Sequence, residues 1–115
     1  MTDLIIVTTT TPDEAVALRI AADAVRARLA ACAQVQGPVH STFQWRGAID
    51  QATEWYCHLK TTRASLEALT ALIRRAHPSQ VPEIVAVPIV AGFRPYLEWV
   101  AQEVSPPPPP SGPEA

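Results

Sequence analysis

The sequence predicts an α+β sandwich, a small sheet with helices against one face. Three observations predict it: short β-branched apolar runs at Leu4–Val7 and Ile84–Val87, strict alternation on either side of Gly47, and two stretches of apolar residues at helical spacing between strands. The 115 residues are 48% hydrophobic and 17% charged, enough to bury one core and too few to build two domains.

The first run, Leu4-Ile5-Ile6-Val7, leads into four threonines and reads as a strand buried on both faces. Thr11-Pro12-Asp13-Glu14 then reads as a helix start, with Thr11 as the cap, Pro12 in the first position and Glu14 where a capping box needs it. Leu18, Ala22, Val25 and Leu29 supply an apolar stripe for this helix, and Arg19, Asp23 and Arg26 fall on another side. From Val35 the period becomes two. Val39, Ser41, Phe43 and Trp45 alternate with polar residues up to Gly47, and Trp55, Cys57, Leu59 and Thr61 alternate on the return, which makes a long hairpin. Leu66, Leu69, Leu72, Ile73 and Ala76 mark a second amphipathic helix, which must stop near His77 because Pro78 disfavours helical geometry before it. Ile84-Val85-Ala86-Val87 reads as another buried strand, with Pro88 confining one side to an edge or bulge. Tyr96, Leu97, Val100 and Val104 suggest a short terminal helix.

The predicted order is β-α-β-β-α-β-α, whose first six elements are those of the split β-α-β, ferredoxin-like sandwich. Helices cover one face of the sheet. The other receives large hairpin aromatics and has no cover within the chain, so self-association is expected to bury it. Residues 1–104 are read as the domain. Residues 105–115, which hold half of the twelve prolines, are read as a disordered tail or, alternatively, a ligand for a proline-recognising module.

The composition excludes several function classes. A net charge of −2 leaves no basic surplus for nucleic acid. No apolar run reaches the roughly 18 to 20 residues that cross a bilayer, and Met1-Thr2-Asp3 lacks the basic start of a signal peptide, so the expected location is cytoplasmic. Cys32 and Cys57 are then expected to be thiols. His40, His58 and His77 have no metal-motif spacing, so any metal site must be assembled by the fold. Glycines 37, 47, 92 and 112 are isolated, which leaves no phosphate-cradling loop. No local signature sets a thiol beside a base, and a chain without asparagine lacks what acylphosphatase-type chemistry looks to require, so no enzymatic activity is expected.

Taken together, Thr11-Pro12-Asp13-Glu14, Leu29-Ala30-Ala31-Cys32, Ser41-Thr42-Phe43-Gln44-Trp45-Arg46-Gly47, Leu59-Lys60-Thr61-Thr62, His77-Pro78 with Val81-Pro82-Glu83-Ile84, and Tyr96-Leu97-Glu98-Trp99 resemble the CutA divalent-cation tolerance family. The resemblance implies a homotrimer of ferredoxin-like subunits whose hairpins pair between neighbours, binding copper or another divalent cation. Two departures touch the presumed ligand cleft: Ser79-Gln80 stands where the family usually has an aromatic and often an acidic residue, and Phe43 where a tyrosine is common.

Cys32 and His77 are the candidate metal ligands, by ligand softness and by the resemblance respectively. A small buried thiol and a cation at a helix C-terminus are the structural alternatives. The resemblance implies a ligand cleft that holds Lys60, the only lysine, with Glu83 and Trp45, where Lys60 would meet an anionic ligand; a salt bridge is its structural alternative. Phe43, Trp45 and Trp55 are the expected trimer-interface aromatics, core packing being the alternative for the tryptophans. Cys57 is expected in the core, and His40 and His58 on the surface. A trimeric signalling or scaffold protein resembling the PII regulators, binding a small metabolite or a protein, is the alternative function.

Overall fold

The computed structural model describes residues 3–105; the expected tail from residue 106 onward lies outside the described residues. The chain runs β1 (Leu4–Thr11), α1 (Glu14–Arg26), β2 (Cys32–Trp45), β3 (Ala48–Thr62), a single 3-10 turn (Arg63–Ser65), α2 (Leu66–Ala76), β4 (Ile84–Pro88) and α3 (Arg94–Glu103). The four strands form one sheet in the order β2-β3-β1-β4 with every neighbouring pair antiparallel, so the fold is ferredoxin-like, as the element order predicts.

Odd-numbered positions of β1 and β3 face the two long helices. Ile5, Val7, Cys57 and Leu59 form a fully buried core with Ala17, Ile20 and Ala24 of α1 and Leu69 and Ile73 of α2. The buried stripe of α1 is therefore turned about one residue from the predicted one. Leu29 is core as expected, but Leu18 and Val25 are 53% and 42% exposed, because the helix lies on the sheet along its small residues and larger side chains there would hold it off.

The cap of α1 also differs from expectation. Asp13 Oδ1 accepts from the Val16 amide at 2.9 Å, and the Thr11 hydroxyl instead donates to the Asp13 carbonyl at 2.7 Å. At its other end, Leu29 N–H reaches Ala24 O at 2.9 Å and Arg28 N–H reaches Val25 O at 3.0 Å, a Schellman closure that holds Arg28 at φ 59°. The α2 helix ends at His77, whose extended backbone meets Pro78 as the sequence predicts.

Two features separate β2 and β4 from the sequence reading. The β2–β3 register slips between Gln36 and Val39, across Gly37–Pro38, where proline cannot donate to the ladder. Gly37 is required there, since a Cβ would come within 2.5 Å of the Trp55 indole. The β4 strand is an edge, as Pro88 implies, but it is not buried: Val85 and Val87 are 50% and 52% exposed on the face away from α1 and α2. One end of that face is covered by α3, where Leu4, Ala31, Val100 and Val104 make a second, smaller core.

Candidate functional site

The open face is defined by the even-numbered residues of three strands. In register across β2, β3 and β1 lie Cys32, Lys60 and Ile6; then Gln34, His58 and Thr8; then Gln36, Tyr56 and Thr10. The polar side chains among them form a ladder of two hydrogen-bonded groups. His58 Nδ1 lies 3.0 Å from the Thr8 hydroxyl and its Nε2 3.2 Å from Gln36 Oε1, while the Lys60 ammonium donates to Gln34 Oε1. Tyr56 stacks on the His58 ring with centroids 5.1 Å apart. Partial desolvation, reinforced by the Lys60 charge, holds the His58 imidazole below its ordinary value and favours its neutral form.

His58 is thus half-buried in a polar network rather than a plain surface residue, unlike the exposed His40. The parity carried the signal: Gln34, Gln36, Tyr56, His58 and Lys60 are all even-numbered, whereas Ala33, Val35, Cys57 and Leu59 are odd.

The two candidate metal ligands stand at different levels of the sheet. Cys32 is level with Ile6, whereas His77 contacts Thr10, four residues further along β1, a separation of about 13 Å at the ordinary strand rise. Cys32 is half-buried beside Tyr96 of α3, whose hydroxyl is raised above its usual value by burial and by that thiol. His77 has both ring nitrogens engaged: Nδ1 accepts from Ser79 N–H at 3.0 Å, which leaves Nε2 to donate to the Thr10 carbonyl at 2.5 Å. Cys57 is buried in the core as expected, and burial pushes its thiol up to about 12, so it is protonated and inert at neutral pH. Among the described residues, no three His, Cys, Asp or Glu side chains converge as a metal site.

The cleft residues are also dispersed within one chain. Glu83 precedes Ile84, which pairs with Thr9, so it lies near the His77 end and about 13 Å along the strands from Lys60. Trp45 is at the hairpin tip, 40% exposed, under the Arg46 guanidinium at 5.3 Å. Phe43 is similarly exposed. Trp55, by contrast, packs on this chain's own core.

The CutA1 divalent ion tolerance protein family model matches residues 5–103. The chain belongs to the CutA family. Among CutA relatives it is 40% identical over 93 residues to human Protein CutA, covering 81% of this chain and 52% of the human one. It is 38% identical over 97 residues to the divalent-cation tolerance protein CutA of Thermus thermophilus, covering 84% and 94%. The chain thus spans about half the length of the human CutA and nearly all of the bacterial one. Solved CutA structures superpose closely. The Thermus thermophilus protein gives a TM-score of 0.87 at 36% identity, covering 89% of this chain and 99% of that one. A periplasmic divalent cation tolerance protein from Archaeoglobus fulgidus gives 0.85 at 30%, covering 89% and 99%. No helix among the described residues is long and apolar enough to cross a membrane.

Proposed function

We propose that this protein serves divalent-cation tolerance as a non-enzymatic homotrimer that binds copper at surfaces completed by more than one chain. The observation that carries the reading is the unfinished sheet face of a CutA-family chain, with Val85, Val87 and Trp45 exposed around a polar ladder. Self-association is the cheapest way to cover such a surface. Cys32 and His77 stand apart within one chain, so a site using both draws them from neighbouring subunits, and His77 must exchange its bond to Thr10 for the metal. Cys32 is the softer ligand and favours Cu(I). Two unpaired thiols suit a reducing, cytoplasmic compartment.

Light scattering at micromolar concentration is expected to give three times the chain mass, and copper titration to show affinity lowered at least about tenfold by Cys32→Ser and by His77→Ala. His40→Ala is the control and should leave affinity unchanged. A monomer, or equal losses in the control, would overturn the reading. Tight binding of a metabolite without any copper affinity would favour a signalling trimer instead.

A further inference from the structure

A cleft of about 490 Å³ opens between the last turn of α2 and the loop that follows it, lined by Ala71, Arg74, Arg75, Ser79, Gln80 and Pro82. None of these residues belongs to the polar ladder. The volume of the cleft is within the ordinary range for metabolite sites. Its chemistry is unbalanced. Among the described residues the ion pairs are Arg26 with Asp23, Arg28 with Glu103 and Arg63 with Asp3, so Arg74 and Arg75 have no carboxylate partner. Neither of them hydrogen-bonds an acceptor among the described residues, so two forked guanidinium groups with five N–H donors each face the cleft without a protein partner there.

A third guanidinium joins from the hairpin tip. Arg46, held at φ 51° in the β2–β3 turn, places Nη2 3.4 Å from Gln80 Oε1 at the rim of the cleft. Gln80 is neutral, so this contact orients Arg46 without cancelling its charge. The adjoining cleft shares Ala71 and Arg74 and carries Glu67, the one carboxylate lining either. The α2 macrodipole accounts for cations in its last turn. It does not account for the arrival of Arg46 from another element, nor for Ser79 and Gln80 in the same lining.

We propose that this cleft binds a small molecule through a phosphate or pyrophosphate group, with Arg74 and Arg75 as paired forks and Arg46 closing over it. Three positive charges suit a polyanion better than a single carboxylate, and guanidinium matches phosphate oxygens two at a time. A net charge of −2 and the confinement of these arginines to one cleft point to a compact ligand, since nucleic acid is tracked by an extended basic stripe.

The test is calorimetric titration of the full chain with inorganic pyrophosphate, repeated with inorganic phosphate and with a single-stranded oligonucleotide. Pyrophosphate is expected to bind more tightly than phosphate, with amide shifts confined to residues 71–82 and the hairpin tip. Arg74→Gln and Arg75→Gln should each weaken it at least about tenfold. Gln80→Glu should weaken it as much, by setting a fixed carboxylate among the arginines. Arg26→Gln on α1 should leave it within about twofold. All of these positions are exposed, so the variants keep the fold. The proposal fails if pyrophosphate gives no signal at about 10 mM, if the cleft variants bind like the parent, if Arg26→Gln loses as much as they do, or if the oligonucleotide binds more tightly than pyrophosphate.

Discussion

On the face that α1 and α2 cover, the strands contribute Ile5, Val7, Cys57 and Leu59, all buried; on the other they contribute Gln34, Gln36, Tyr56, His58 and Lys60, linked by hydrogen bonds between His58 and Gln36 and between Lys60 and Gln34 and by the Tyr56–His58 stack, and mostly half-exposed. Both faces come from the same strands, through alternate residues. The first is finished within one chain, and its energetics are those of ordinary burial. The second is finished only at the α3 end, so what it does depends on what meets it. Phe43 and Trp45 of the expected trimer interface and the candidate ligands Cys32 and Lys60 belong to this incomplete side, whereas Trp55 packs on the covered one.

The contrast can be broken most directly by paired truncations. Leu59→Ala, in the centre of the covered face, is expected to cost about 2–5 kcal/mol by denaturant unfolding, from lost burial and the cavity left behind. Val87→Ala, on the open face, should stay within about 0.5 kcal/mol in an isolated chain. A larger, concentration-dependent cost at Val87 would measure how much of that face a second copy covers.

Gly37→Ala probes the place where the two halves of the hairpin meet. The new methyl would run into the Trp55 ring, which is packed on the covered core and cannot withdraw freely. A loss of about 1–3 kcal/mol is expected. An unchanged melting curve would mean that the bulge across Gly37–Pro38 adjusts, and that the register of β2 is softer than its pairing implies.

Much of this contrast was legible in the sequence. Element order, the stop at His77 and the burial of Cys57 follow from periodicity and proline chemistry, which act over a few residues. What was not legible required knowing which elements meet. Leu18 and Val25 are as apolar as any core residue, and only the close approach of α1 through Ala17, Ile20 and Ala24 leaves them outside. Ile84–Val87 reads as buried because β-branched residues favour strands, yet its place at the sheet edge decides its exposure. The distance between Cys32 and His77 is likewise a matter of register: one lies at the start of β2 and the other beyond α2, and local spacing carries no information about their separation. The arginine cleft joins residues 46, 74, 75 and 80, which no short motif links.

The covered face has one flaw, and it gives a smaller effect of opposite sign. Thr9 is fully buried there and its hydroxyl has no hydrogen-bond partner among the described residues, which leaves a desolvated polar atom in the core. Thr9→Val keeps the shape and removes the hydroxyl, so it should be neutral or stabilising by up to about 1 kcal/mol. A clear destabilisation would show that the hydroxyl is satisfied, for example by a buried water, and that this face is wetter than its packing indicates.

The smallest effect is expected from the open face and is one of pH. Partial desolvation, then the Lys60 charge, lowers the His58 imidazole in the folded chain relative to its ordinary value near 6.5. Between that lowered value and about 6.5 the unfolded chain binds a proton that the folded chain does not, so stability rises with pH across this window and is lost as pH falls through it. Protonation would also bring a second cation beside Lys60 and stop Nδ1 from accepting the Thr8 hydroxyl's hydrogen bond, while Nε2–H goes on donating to Gln36 Oε1. Unfolding curves collected between about pH 5 and 7 should show this slope. It should flatten in His58→Gln, whereas His40→Gln should leave the His58 contribution in place. Lys60→Gln should flatten the slope less than His58→Gln does, because burial is the larger cause and survives the loss of the charge. If Lys60→Gln removed the slope entirely, the ladder would be governed by charge rather than by burial, and the open face would be more solvated than its stacked Tyr56 and His58 imply.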